Sequence, residues 1–204
     1  MQRSTLFFLI FSSLLVACLS VPSASAQVGF GMHFANDVYQ SVSNPDDSPQ
    51  FSTAKSIVIS PSFGPKVYFG LGEWSASLQT AVGISPFSWD WEETKGLGTL
   101  YAPSLFSLNY GGLNGFSGPE AKLGISAGLG MQLALTDLYF RKGDFRDEGI
   151  NLLATPFAQA AIGYGTKGTA AYLYLRYGSD SDGSEFFAVG VALDINFIQR
   201  RDFR

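Results

Sequence analysis

The sequence predicts an all-β fold, an eight-stranded antiparallel up-and-down transmembrane β-barrel. Three observations lead there. Apolar residues recur at every second position through several long segments, and the connections between those segments alternate long and short. The 204 residues include 23 glycines and 15% aromatics but only 15% charged residues, where a soluble domain has about a quarter charged. Period two is the signature of a strand with two unlike faces. Beyond the N-terminal segment no run reaches the roughly 20 apolar residues of a transmembrane helix, so any crossing of hydrocarbon must be made by strands closed into a barrel.

The N-terminus is read separately from the fold. Arg3 supplies a positive start, residues 6–19 are an apolar run, and Ala24-Ser25-Ala26 is a small-x-small cleavage site; together these describe a secretory signal peptide. Residues 1–26 are therefore assigned to export and residues 27–204 to the barrel. An alternative stays open, because Leu15-Val16-Ala17-Cys18 is similar to a lipoprotein box with Cys18 as the lipidated residue. Cys18 is the only cysteine, so cleavage after Ala26 leaves neither a disulfide nor a reactive thiol.

Taken in order, residues 28–34 form a first, weakly alternating strand. In 56–70 Ile57, Ile59, Phe63, Val67 and Phe69 oppose Ser56, Ser60, Ser62, Gly64, Lys66 and Tyr68. A hairpin at Gly64-Pro65 would flip the parity and bring Lys66 onto the side of Phe63; the phase runs through unbroken, so one strand is kept, kinked or bulged there. The third strand, 74–87, sets Trp74, Ala76, Leu78, Val82 and Ile84 against Ser75, Ser77, Gln79, Gly83 and Ser85. A weaker strand at 100–110 precedes the most regular stretch, 121–135, whose odd positions run Ala121, Leu123, Ile125, Ala127, Leu129, Met131, Leu133, Leu135. Segments 152–164 and 170–178 follow, and 185–197 closes the set with Phe187, Val189, Val191, Leu193, Ile195 and Phe197 on one phase. Pro61, Pro65, Pro86, Pro103 and Pro156 fall inside these segments and each removes a ladder donor.

Between the apolar residues stand Gly, Ser and Ala far more often than Lys or Glu. Such a face suits a crowded interior, and an eight-stranded barrel is just wide enough for its side chains to fill. In this phase the lumen receives Lys66, Gln79, Lys122, Gln132, Gln159, Tyr172, Tyr174, Arg176, Asp194 and Asn196. Trp74, Tyr110, Tyr164 and Phe197 mark one end and Trp89, Trp91, Tyr139, Tyr177 and Phe187 the other, in keeping with two aromatic girdles. Most of the 17 acidic residues fall in the long connections, which makes that rim acidic.

Even strand number, short turns at one end and long loops at the other resemble the small eight-stranded outer-membrane barrels of Gram-negative bacteria, the OmpA transmembrane-domain and OmpX type. The last strand, "FFAVGVALDINF", is similar to the C-terminal insertion signal of that class, although "IQRRDFR" follows Phe197 where the class ends in an aromatic. The resemblance implies residence in the outer membrane, contact with its lipids and lipopolysaccharide, handling by the barrel-assembly machinery, and a structural or surface-interaction role. It does not name a partner for the extracellular loops.

Few constellations point to chemistry. The single histidine, His33, lies on the polar phase; some barrels that this chain resembles modify lipid A with a His, a Ser and an acid, and His33 with Asp37 is the candidate for that reading. The alternative is a lumen histidine bonded to a neighbour. Asp180 and Asp182 in "DSDGSE" have a faint similarity to a calcium loop but lack its twelve-residue ligand pattern, and Asp182-Gly183 is also a good turn pair. The loop with Arg141, Lys142, Asp144, Arg146, Asp147 and Glu148 carries mixed charge. Net charge is −4 with no basic face, which argues against nucleic acid, and no cofactor motif is present. A soluble exported barrel binding an apolar ligand is a third reading, with its apolar face turned inward. Two tests follow. Mass spectrometry of the mature chain should find Gln27 at its N-terminus, and a lipidated Cys18 would contradict the assignment. Leu129→Arg should block membrane assembly far more than Gly128→Ser.

Overall fold

The computed structural model describes residues 27–43, 54–57, 59–85, 88–89, 99–135, 152–179 and 185–197. They form an eight-stranded antiparallel barrel closed on itself. Strand β1 is Gln27–Ser43; β2 comprises Ala54–Ile57 and Pro61–Leu71; β3 comprises Trp74–Thr80, Val82–Ser85 and Ser88–Trp89. Then come β4 (Thr99–Gly111), β5 (Lys122–Leu135), β6 (Leu152–Thr166), β7 (Thr169–Ser179) and β8 (Glu185–Asn196). Each strand pairs with its chain neighbours, and β1 completes the ring by pairing with β8 from Gly31↔Asn196 to Ser43↔Glu185. At the end of β8 the Phe197 amide donates to the Phe30 carbonyl at 2.9 Å.

The phase read from the sequence is the phase of the walls. Leu123, Ile125, Leu129, Met131 and Leu133 all point outward, Leu129 being 69% exposed, while Gln132 and Ala134 are buried. Phe63, Phe69, Leu78, Val82, Leu108, Ile162, Leu173 and Val191 likewise project from the outer surface. An apolar face of this extent on the outside, with lysine, arginine, aspartate and glutamine inside, is the reverse of a soluble barrel built around an apolar ligand.

Local irregularities sit where the sequence demands them. Gly64-Pro65 stays within one strand, Gly64 opposite His33 and Pro65 opposite Met32. A Cβ on Gly64 would lie 2.0 Å from the Thr80 carbonyl oxygen, so this close approach needs glycine. The break falls across from it, in β3 at Ala81, whose amide turns to the Pro103 carbonyl at 2.9 Å. A register shift between Asp37 and Tyr39 places a bulge in β1. Between β6 and β7 Lys167 and Gly168 both have positive φ, 50° and 74°, as a tight primed hairpin turn requires.

Inward glycines provide sockets for aromatic rings. A Cβ on Gly83 would strike the Tyr101 ring, one on Gly130 the Phe157 ring, and one on Gly190 the Tyr174 ring, each within 2.6 Å. Large rings thus fit in a narrow bore because the strand beside them carries no side chain, the arrangement called aromatic rescue in sheets. One expectation changes here. A Cβ on Gly128 would meet the Phe106 carbonyl oxygen at 2.4 Å and Ser107 Cβ at 2.8 Å, so Gly128→Ser is not the harmless substitution that its polar phase promised.

Aromatics cluster at the turn end, with Trp74 and Tyr110 4.8 Å apart between ring centroids and Tyr164 and Phe197 projecting outward. At the loop end Tyr177 is exposed and Phe187 packs on Tyr39 at 5.9 Å. Trp91 and Tyr139 lie outside the described residues, and of Trp89 only the backbone pairing with Lys55 is described.

Ser126, half-buried and inward, is the better control for the two faces. Leu129→Arg should lower the unfolding free energy of the refolded barrel in lipid by about 2–4 kcal/mol, the depth-dependent cost of a charge facing hydrocarbon. Ser126→Ala should cost within about 1.5 kcal/mol, the worth of one neutral hydrogen bond. Urea titration in bilayers measures both.

Candidate functional site

Side chains from every wall converge in the bore, in three groups above a floor. The first lies across the seam where β1, β2, β7 and β8 meet. His33 of β1 and Asp194 of β8 are register partners. Their contact, Nδ1 to Oδ1, is 2.7 Å; since a carboxylate only accepts, the histidine donates from Nδ1. Lys66 Nζ donates to the other oxygen, Oδ2, also at 2.7 Å. Tyr172 adds a hydroxyl 3.3 Å from Oδ1, and its ring lies near the Lys66 ammonium, 5.7 Å from the centroid. All four residues are buried. The arrangement meets the condition for a tolerable buried charge: opposite charges in contact, with remaining donors aimed at the same carboxylate.

Toward the loop end the second group begins with Asp37, four residues along β1 from His33 and on the same face. The Tyr174 hydroxyl donates to Asp37 Oδ1, and Arg176 Nη1 stands 3.7 Å from that oxygen. Arg176 is 0% exposed. Its Nε donates to Gln159 Oε1 at 2.7 Å, and its guanidinium lies 4.4 Å from the Tyr174 ring centroid and 5.5 Å from that of Phe157, within cation–π range. Nearby, Tyr101 donates to the Ser60 carbonyl at 2.6 Å and Ser85 to Gln40 Oε1 at 2.8 Å.

The third group is a small-residue ladder on β3, β4 and β5. Ser77 and Ser107 hydroxyls are 2.9 Å apart, Asn109 Nδ2 donates to Ser77 at 3.0 Å and to Ser75 at 3.2 Å, and Ser126 donates to Asn109 Oδ1 at 2.8 Å. Below it the connection between β4 and β5 does more than turn. It makes one short 3-10 turn, Gly112–Asn114, with all three residues buried. Asn196 Nδ2 donates to the Gly115 carbonyl at 2.8 Å, Asn114 Nδ2 to the Gly72 carbonyl at 3.3 Å, Thr166 to the Pro119 carbonyl at 2.9 Å, and Phe116 packs edge-on against Tyr68. The segment is a floor across the turn end.

Of the lumen residues expected from sequence, Lys66, Gln79, Gln132, Tyr172, Tyr174, Arg176 and Asp194 are buried within the bore. Lys122 is not. Its side chain is 52% exposed and 3.7 Å from Glu73: it stands at the first residue of β5, where the floor segment occupies the bore and the chain end opens to water. The lumen is also less uniformly polar than expected, since Leu105, Phe157, Phe186 and Ala188 form an apolar cluster inside it.

His33 and Asp37, the pair weighed for lipid chemistry, belong to different groups, and no serine hydroxyl is among the hydrogen-bond partners of His33 given by the described residues. A general base must reach the nucleophile it activates, so the triad geometry is not assembled there. Asp180 and Asp182 lie outside the described residues, as do Arg141, Lys142 and Arg146. Among the described residues no cluster of three metal-ligating side chains occurs.

Compared with known proteins, the chain matches no family model and no curated protein. Solved structures match it. Neisserial surface protein A aligns with 85% of this chain and 99% of its own, at 12% identity and a TM-score of 0.50. The N-terminal β-barrel domain of Pseudomonas aeruginosa OprF covers 83% of this chain and 100% of its own at 12% identity and TM-score 0.38. Ail, the attachment invasion locus protein of Yersinia pestis, solved with the heparin analogue sucrose octasulfate, covers 83% and 99% at 12% identity and TM-score 0.39. The first of these likenesses extends to the whole architecture: the chain has the fold of the small eight-stranded outer-membrane barrels.

The buried ion pair makes a direct prediction. Asp194→Asn leaves the Lys66 charge without a counter-charge and should destabilise the refolded barrel by about 3–5 kcal/mol. Adding Lys66→Met should recover much of the loss, read from urea midpoints of the two variants.

Proposed function

We propose that this chain is an integral outer-membrane protein whose bore is closed to solutes and whose role is architectural or is exercised through its long acidic loops, with residues 1–26 as the export signal. One observation carries the reading: the outward face is apolar over the length of the strands while the inward face carries buried polar and aromatic side chains bonded to one another from strand to strand. A protein built this way is soluble in lipid and has no open channel. An eight-stranded bore has room for its side chains and little else, and the floor of Gly112–Asn114 supports closure from the turn end. Its standing partners are then outer-membrane lipids and lipopolysaccharide, reached through the barrel-assembly machinery, with no part for nucleic acid.

A non-enzymatic role is favoured by where His33 lies. It is 0% exposed, held by Asp194 and Tyr172, and faces the bore instead of the lipid. An enzyme acting on lipid A needs its base where an acyl chain can reach it. The fold neighbour named a surface protein is in keeping with a surface role, and the loops are where such a role would vary.

Membrane fractionation with heat-modifiable gel migration tests the placement: the chain should co-sediment with outer membrane and migrate faster unheated than boiled. Recovery in the soluble fraction would overturn it. In planar bilayers the refolded barrel should give no sustained conductance steps, whereas a steady open state would contradict a closed bore. His33→Ala should leave the lipid A profile unchanged by mass spectrometry.

A further inference from the structure

On its lipid-facing rim the turn end carries a group of side chains that plays no part in the bore. Trp74 opens β3 and Tyr110 stands next to the end of β4; they are register partners, both outward, with ring centroids 4.8 Å apart. The Tyr110 hydroxyl donates to Glu73 Oε2 at 3.0 Å, and the Gly111 amide donates to the Glu73 carbonyl at 3.1 Å, which fixes that turn residue against β4. Lys122 Nζ stands 3.7 Å from the other carboxylate oxygen, Oε1, too far for a hydrogen bond. Both charged side chains are more than half exposed. Above them, on the same three strands, the outward residues include Leu78, Leu108 and Ile125. A carboxylate, an ammonium and two rings thus share one spot where an apolar wall meets water, the depth at which aromatic girdles sit.

Resting on the membrane placement proposed above, we infer that this rim is a binding site for the headgroup of a zwitterionic phospholipid with a primary ammonium, the chemistry of phosphatidylethanolamine. Lys122 takes the phosphate and Glu73 the headgroup ammonium, whose charge also suits the face of Trp74, while the acyl chains lie along Leu108 and Ile125. Charge selects this class of lipid. An exposed ion pair at 3.7 Å adds little stability, so its two ends are readily exchanged for contacts with a ligand that carries both signs. Phosphatidylglycerol would satisfy Lys122 but set its phosphate beside the Glu73 carboxylate with no cation between them. Phosphatidylcholine brings a cation that has no N–H to donate to Glu73. Among the described residues the charged side chains of this end are Glu73, Glu120, Lys122 and Lys167, two of each sign, so no surplus of positive charge draws anionic lipid there.

Native mass spectrometry of the refolded full chain, released from bilayer discs holding equal parts of phosphatidylethanolamine, phosphatidylglycerol and phosphatidylcholine with identical acyl chains, tests the site. The retained lipid should be enriched several-fold in phosphatidylethanolamine. Glu73→Gln should shift the preference to phosphatidylglycerol, since Lys122 then faces no competing carboxylate, and Lys122→Gln should abolish the enrichment. Both side chains are exposed, so heat-modifiable migration should be unchanged in the two variants, and a lost preference then reports on binding and not on folding. Equal retention of the three lipids, a preference for phosphatidylglycerol in the unaltered chain, or the same selectivity in all three proteins would overturn the site while leaving membrane residence intact. Failure of the unaltered chain to enter the discs would overturn the membrane placement, and the site with it.

Discussion

The structure depends on closure of the backbone hydrogen-bond ring between β1 and β8. In hydrocarbon an unpaired amide or carbonyl costs several kcal/mol, so a sheet with free edges cannot reside there. Register from Gly31↔Asn196 to Ser43↔Glu185 removes the two edges that chain order leaves open. Every other feature is a consequence of that ring: outward residues must tolerate lipid, and inward ones must fill whatever space eight strands enclose.

The charged groups of the bore are placed where closure is made. His33 and Asp194 are partners across the β1–β8 seam, and Lys66 and Tyr172 reach the same carboxylate from the strands on either side. Asp37 on β1 meets Tyr174 and Arg176 on β7, spanning β8 between them. Buried ion pairs contribute little net stability against well-packed apolar residues, and their best-attested use is to fix register. A slip of one residue at this seam would send His33 and Asp37 into lipid and bring phenylalanines into the bore. The charges make the correct register the only one with their needs met.

Much of the fold was legible in the sequence because the two solvents of a barrel impose an unmistakable alternation. Leu123 to Leu133, Trp74 to Ile84 and Val189 to Leu193 were assigned to their faces by parity alone, and Gly64-Pro65 was kept inside one strand on the same ground. Parity also assembled most of the inward set, Lys66, Gln79, Gln132, Tyr172, Tyr174, Arg176 and Asp194. It could not say which of them touch. Asp37 was missed as a lumen residue because Asn36-Asp37 reads as the start of a loop and the bulge beyond it shifts the phase. Lys122 was assigned wrongly because parity says nothing about how far along the axis the bore extends. The floor was read as a turn, since nothing in "GGLNGFSGP" announces that Asn114 will bond across to Gly72 or that Gly115 will accept from Asn196. These are contacts between distant strands, set by the tilt that closes the ring, and a single strand's pattern does not encode them.

Spin labels placed singly along β5 at positions 123 to 134 that already carry a Cβ, in the refolded barrel in lipid, measure the central claim most directly. Oxygen, which partitions into hydrocarbon, should collide readily with labels at 123, 125, 127, 129, 131 and 133 and poorly with those at 126, 132 and 134, while a water-soluble nickel complex reaches neither set within the span. Oxygen access that is reversed between the two sets, or that shows no alternation, would contradict an apolar face in lipid around a filled polar bore.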